Sequence, residues 1–181
     1  ERLSEESGLQ AEKKMRSISW FKLAAAAVLF LLVGITLFLK FYTTTIQTEK
    51  GKHLSHFLPD GSAVQLNAVS SISYHPYWWR FERKVLFEGE AFFEIEKGKD
   101  FLVTSENGET KVLGTSFNIF ARNNDYNVYC ETGTVKVSST TTDVELIIKQ
   151  GQRAILDNNK KLGKIENFNA GSENPILYDL T

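Results

Sequence analysis

Residues 85–96 read Val85-Leu86-Phe87-Glu88-Gly89-Glu90-Ala91-Phe92-Phe93-Glu94-Ile95-Glu96, and their period decides the fold class. Successive side chains of an extended chain point to opposite sides. Val85, Phe87, Gly89, Ala91, Phe93 and Ile95 therefore share one face, while the other carries mainly glutamates. The run predicts a half-buried strand pair or one bent strand.

Working outward, the same alternation recurs in Val64-Leu66, in Leu113-Thr115-Phe117-Ile119-Ala121, in Val135-Val137, in Val144-Leu146-Ile148 and in Ala154-Leu156. Turn signals separate these runs at Asp60-Gly61, Asn107-Gly108, Thr132-Gly133 and Gln150-Gly151. Asp-Gly and Asn-Gly most readily take the positive φ of tight hairpins. Short strands at this spacing, with no amphipathic helix between them, predict an all-β domain, either solenoid-like or a two-sheet sandwich or roll.

Upstream the period changes. From Leu23 through Val28, Leu32 and Ile35 to Leu39 there is no charged residue, and 17 residues at ~1.5 Å each give a helix of about 25 Å. Trp20 and Phe21 on one side, and Phe41 and Tyr42 on the other, are placed as interfacial aromatics, with Lys22 and Lys40 able to snorkel. The predicted transmembrane helix is 20–42. A cleaved signal peptide would carry small residues after its apolar core, whereas Ala24 to Ala27 precede it. A buried soluble helix would show a polar stripe, and none is present. Lys13, Lys14, Arg16 and Lys22 precede the core, against Lys40, Lys50 and Lys52 after it. An N-inside orientation is the expectation, because Lys40 belongs to the interface itself.

Composition excludes several function classes. A net charge of -1 supplies no basic field for phosphates, so no direct nucleic-acid contact is expected. Cys130 is the only cysteine, which rules out an internal disulfide or a cysteine-rich zinc site, and its setting in Val128-Tyr129-Cys130 is that of a small apolar strand residue. At 181 residues the chain holds one ordinary domain, or a small domain with attachments. It starts with Glu1 and ends without a terminal element, as expected of a piece of a longer protein.

The strings LPDGSAVQLNAVSSISY at 58–74, RKVLFEGEAFFEIEK at 83–97 and VLGTSFNIFA at 112–121 resemble, in order and spacing, the FecR family of transmembrane sigma-factor regulators. ETGTVKV at 131–137 and IKQGQRAIL at 148–156 extend the resemblance over roughly residues 50–157. The motif style is Bacteroidetes-like. The residues that carry the match are Leu58, Pro59, Asp60 and Gly61, then Gly89, Glu90, Phe92 and Phe93, then Gly114, Thr115 and Phe117. Read bottom-up they are fold markers more than partner contacts, with Asp60-Gly61 a turn and Gly89 relieving crowding at a bend.

The resemblance implies an anti-sigma factor in the inner membrane of a Gram-negative bacterium, N-terminus cytoplasmic and C-terminal domain periplasmic, with a solenoid-like β domain. It implies a partner in an extracytoplasmic-function (ECF) sigma factor, a second in the signalling domain of a TonB-dependent transporter, and regulatory proteases. The expected organisation is a cytoplasmic linker at 1–19, the span at 20–42, a periplasmic stalk at 43–52, the FecR-type domain at 53–157, and a linker at 158–181 toward a further domain. Residues 1–19 are too few for the family's sigma-binding domain, and 174–181 stop where a second periplasmic domain is usual.

Glu88, Glu90, Glu94 and Glu96 share a strand face, yet no nucleophile or matched polar pocket accompanies them, so a solvated face is expected and no catalysis. His53 and His56 are three apart without further ligand pattern, so no metal or cofactor is expected. Tyr74, Tyr77, Trp78 and Trp79, with Arg80 and Arg83, form the densest aromatic and cationic cluster. It reads as a loop packing over the domain edge, as a protein-binding hot spot at Tyr77, Trp78, Trp79 and Arg80, or as a sugar-stacking platform. The last makes a membrane-tethered carbohydrate-binding module the alternative function.

Overall fold

The structure is a computed structural model that describes residues 20–106, 108–123, 125–140, 144–156 and 162–167. The expected linker at 1–19 and the end of the chain from 168 lie outside them. Two compact units divide the chain between Phe38 and Leu39.

Helix α1 (Trp20–Phe41) is apolar on every side, and none of its residues is buried. Its one hydroxyl within the apolar run, Thr36, donates to the Leu32 carbonyl at 2.8 Å and so is satisfied within the helix. Long and apolar enough to cross a bilayer, it fits a single-pass membrane protein.

The second unit is all-β. Its strands are β1 (Thr44–Gln47), β2 (Leu54–Phe57), β3 (Ala63–Leu66), β4 (Ser71–Tyr74), β5 (Arg83–Glu94), β6 (Phe101–Thr104) and β7 (Gly108–Val112). There follow β8 (Ser116–Arg122), β9 (Asp125–Thr132), β10 (Thr134–Ser139), β11 (Glu145–Lys149), β12 (Gln152–Leu156) and β13 (Leu162–Asn167). The alternating run at 85–96 is thus one long strand rather than a strand pair, and it belongs to two sheets. Its first half pairs with β4 (Ile72 opposite Phe87) and, in parallel, with β6 (Val85 opposite Val103). Its second half pairs with β3 (Val64 opposite Phe93) and β8 (Phe93 opposite Phe117).

One sheet therefore runs β1-β4-β5-β6-β7-β10-β11 and the other β2-β3-β5-β8-β9-β12-β13. Only the β5–β6 ladder is parallel among the described pairings. A solenoid would stack parallel coils, so of the two expected architectures the two-sheet one is present.

The inward faces of both sheets meet in one core. Phe93 is fully buried, stacked on Phe117 at 5.2 Å and edge-on to Phe87 at 5.4 Å. Burial of each such ring stabilises the fold by about 1.5–3 kcal/mol. Val85, Phe87, Ala91, Phe93 and Ile95 are all buried, as their alternation requires. Cys130 is a buried filler, and burial, followed by the charge of Glu131, pushes its thiol up to about 11.

Four boundaries differ from the expected ones. Residues 44–47 of the expected stalk form edge strand β1, paired with β4 and half-buried on alternate residues. Residues 162–167 of the expected C-terminal linker form β13 on β12. The run 113–121 starts as a strand only at Ser116, because Leu113 is exposed and Gly114 turns the chain. Gly108 is a buried strand residue against the Tyr126 ring, not a turn residue, and its expected partner Asn107 lies outside the described residues.

Candidate functional site

Three places gather the residues singled out from the sequence. The first is the turn between β2 and β3. Leu58 is buried, Pro59 and Gly61 are exposed, and Asp60 Oδ1 accepts from the Ser62 backbone N–H at 3.0 Å. Arg83, at the start of β5, forms an ion pair with Asp60, its Nε donating at 2.6 Å. The same guanidinium donates to the carbonyl oxygens of Lys99 (2.7 Å) and Glu96 (3.0 Å) and lies over the Phe101 ring at 5.5 Å. Buried Ser62 accepts from the Glu96 backbone N–H at 3.0 Å. Burial alone would raise the Asp60 carboxyl, but hydrogen bonds from Ser62 and Arg83 outweigh it and hold the pKa below 3.8. This is a clasp binding three segments, and its donors and acceptors are consumed internally.

The second place is where β5 passes from one sheet to the other. Gly89 has φ +109°, and a Cβ there would lie 2.6 Å from Ser70 Cα. The Glu90 N–H donates to Ser70 Oγ at 2.9 Å, while Arg122 donates to the Ala68 carbonyl at 2.6 Å. The Glu90 carboxylate accepts from Asn67 Nδ2 at 2.9 Å. Glu88, Glu94 and Glu96 are exposed, so three of the four glutamates face solvent. Beside this crossing a concavity of about 440 Å³ is lined by Ser71, Ser73, Glu88, Thr104, Glu106 and Arg122 among others. Phe92 is half-buried, and Gly114 and Thr115 form the bend before β8, where Thr115 O accepts from the Ile95 N–H at 3.0 Å. The motif residues are thus structural joints.

The third place is the loop 75–82 between β4 and β5. It does not hold the expected tryptophan pair together. Trp79 turns inward, 5% exposed and edge-on to Tyr74 (5.5 Å) and Phe101 (5.8 Å), and Tyr74 is itself buried. The surface therefore lacks Trp79: adjacent residues in a turn point apart, and the core takes the one that faces it. Tyr77, Arg80 and Phe81 are exposed, and Trp78 is half-buried, its ring tilted against that of Phe81 at 4.5 Å. Phe81, which closes the run HPYWWRF at 75–81, joins this surface although the sequence cluster does not include it. His56, one of the two histidines three apart, lies with Nε2 2.8 Å from the Tyr74 hydroxyl, a structural pairing.

Comparison with known proteins places this geometry. The model of the FecR family, described as FecR protein, matches residues 44–155. No curated protein matches. Two crystal structures of a Parabacteroides distasonis protein assigned as an anti-sigma factor, at 1.65 Å and 2.50 Å resolution, are each 32% identical to this chain. They superpose with TM-scores of 0.62 and 0.63 over 70% and 71% of it. This chain spans 61% and 62% of the length of those chains. The family match begins at the residue where β1 begins and ends within β12, so it covers the two-sheet domain nearly end to end. The chain belongs to the FecR protein family.

Proposed function

We propose that this chain is a membrane-anchored anti-sigma factor that relays a signal from the periplasm to an ECF sigma factor in the cytoplasm. The observation that carries the reading is positional. A FecR domain begins at residue 44, immediately after a helix able to cross a bilayer ends at Phe41. A domain so tethered has its partner on one side of the membrane and its output on the other.

The signal in this reading comes from the signalling domain of a TonB-dependent outer-membrane transporter. The helix crosses the inner membrane with its N-terminus in the cytoplasm, and proteases complete release of the sigma factor. The binding free energy of the periplasmic partner must differ between two states of the domain for any signal to pass. The protein performs no chemistry of its own, in keeping with glutamates that are solvated or engaged in structural hydrogen bonds. A carbohydrate-binding module is disfavoured by the inward turn of Trp79, which leaves no two-tryptophan platform.

The test is a pull-down of the tagged full-length parent protein from native membranes, with mass spectrometry of what stays bound. Recovery of a sigma factor together with a TonB-dependent transporter is expected. Their clean absence, with glycan or cell-wall material retained instead, overturns the reading.

A further inference from the structure

The loop 75–82 is anchored to the core by one ring and still leaves others in water. Trp79 fixes it to the core through Tyr74 and Phe101, while Tyr77 and Phe81 are 57% and 69% exposed. Each exposed ring forgoes about 25 cal/mol per Å² of apolar surface left in water. A cover for this patch is therefore stabilising, and the loop's neighbours say what the cover is.

Those neighbours are the residues on which α1 ends. The Tyr77 ring lies 5.3 Å from that of Tyr42, and the Lys40 ammonium lies 5.6 Å from the centre of the Trp78 ring. His75 Nδ1 is 3.1 Å from the Tyr42 carbonyl oxygen and 3.2 Å from Thr43 Oγ1. The 22 residues of α1 give about 33 Å of helix, against ~30 Å of hydrocarbon in a bilayer. At any modest tilt the end of the helix then lies in the headgroup layer, on the order of 5–7 Å deep on each side. Side chains within 6 Å of Lys40 and Tyr42 lie in that layer or at its edge.

We propose that residues 77–81 are a second membrane contact, a loop that sets Tyr77, Trp78 and Phe81 into the headgroup region of the leaflet from which α1 emerges. The occupant of the patch is phospholipid. Tyrosine and tryptophan favour this layer because each ring has an apolar body and a polar tip. Arg80 on the same loop and Lys40 beneath it favour anionic headgroups. A protein hot spot would use the same residue types, but this patch is continuous with the span's own exit and gains its cover as soon as the helix inserts. The proposal rests on α1 crossing the bilayer.

The experiment uses the whole chain reconstituted in phosphatidylethanolamine and phosphatidylglycerol vesicles that contain lipids with a nitroxide on the headgroup or high on the acyl chain. In the W20F variant Trp78 and Trp79 are the remaining emitters. Their combined emission should fall roughly twofold at most, since an interfacial ring is quenched and a core ring is not. W20F/W78F should lose that lipid-dependent quenching, while Y77S and F81S in the W20F background should weaken it. Carbonate washing of the same vesicles reports on the span separately. A chain that resists carbonate but shows no lipid quenching of Trp78 overturns the loop contact and leaves the span standing; this includes the case in which Trp78 is shielded by protein. A chain that carbonate strips from the vesicles overturns the span and the loop contact together.

Discussion

Two connections meet at the start of the long strand β5, the turn that Arg83 holds and the loop that runs into the strand, and they are built on opposite plans. The turn at 58–62 is polar: Asp60 and Ser62 are saturated by Arg83, by backbone N–H groups and by each other, and Leu58 is buried. The loop at 75–82 is aromatic, with one ring sunk in the core and three at the surface. A segment whose hydrogen-bonding capacity is spent inside the domain has little left for a partner, whereas one with spare apolar surface does. The motif that identifies the family thus spends its polar groups inside the domain, and the less regular loop is the part that keeps apolar surface exposed.

The sharpest way to break this comparison is to exchange the two adjacent tryptophans' roles. Trp79→Ala removes a buried ring and should destabilise the domain by about 4 kcal/mol in urea unfolding of the detergent-solubilised chain. Trp79→Phe should cost far less, because it keeps most of the packing and removes an indole Nε1 that has no acceptor among the described residues. If Trp79→Ala were neutral, the loop would not be fixed to the core.

Next in size is the clasp. Arg83→Leu strands Asp60 and frees the carbonyls of Lys99 and Glu96, and should cost about 3 kcal/mol in the same assay. A cost near zero would mean that the ion pair is only a surface contact.

The clasp also carries a pH signature. The folded-state pKa of Asp60 lies below 3.8, so the unfolded chain binds its proton first as the pH falls. The stabilisation is complete above about pH 3.8 and is lost as pH drops below it toward the folded value. Asp60→Asn should lower stability at neutral pH and flatten this acid limb in unfolding curves recorded across the acid range. An unchanged limb would assign it to other carboxylates.

The smallest effect belongs to the exposed side of the loop. Trp78→Ser should alter unfolding in detergent by about 1 kcal/mol, far less than Trp79→Ala, because its ring is only half-buried against Phe81. A large loss there would erase the distinction between an inward and an outward tryptophan.

The sequence makes some of this visible and hides the rest for physical reasons. The alternation at 85–96 announces a strand, because one side of β5 meets the core throughout. It does not announce that Gly89 hands the strand from one sheet to the other, since that depends on pairing with residues 63–74 on one side and 101–122 on the other. Strand β1 hides in a threonine-rich stretch because an edge strand is only half-buried and its pattern is faint. Strand β6, Phe-Leu-Val-Thr, is four residues long, too short for a period to show. At the loop the composition marks the surface patch, but no local rule says which tryptophan turns inward; Phe101, more than 20 residues on, decides it.

The glutamates of β5 acquire a meaning during synthesis. When residue 94 has emerged, β5 finds β3 and β4 already made, but its other partners, at Phe101–Thr104 and Ser116–Arg122, are still to come. For that interval a long, phenylalanine-rich strand offers an open edge, the condition under which chains pair with one another instead of with themselves. Glu88, Glu90 and Glu94 alternate with the apolar residues along that stretch, and like charges on two such nascent strands repel. A row of carboxylates on such a strand is the kind of charge that disfavours association between open strand edges.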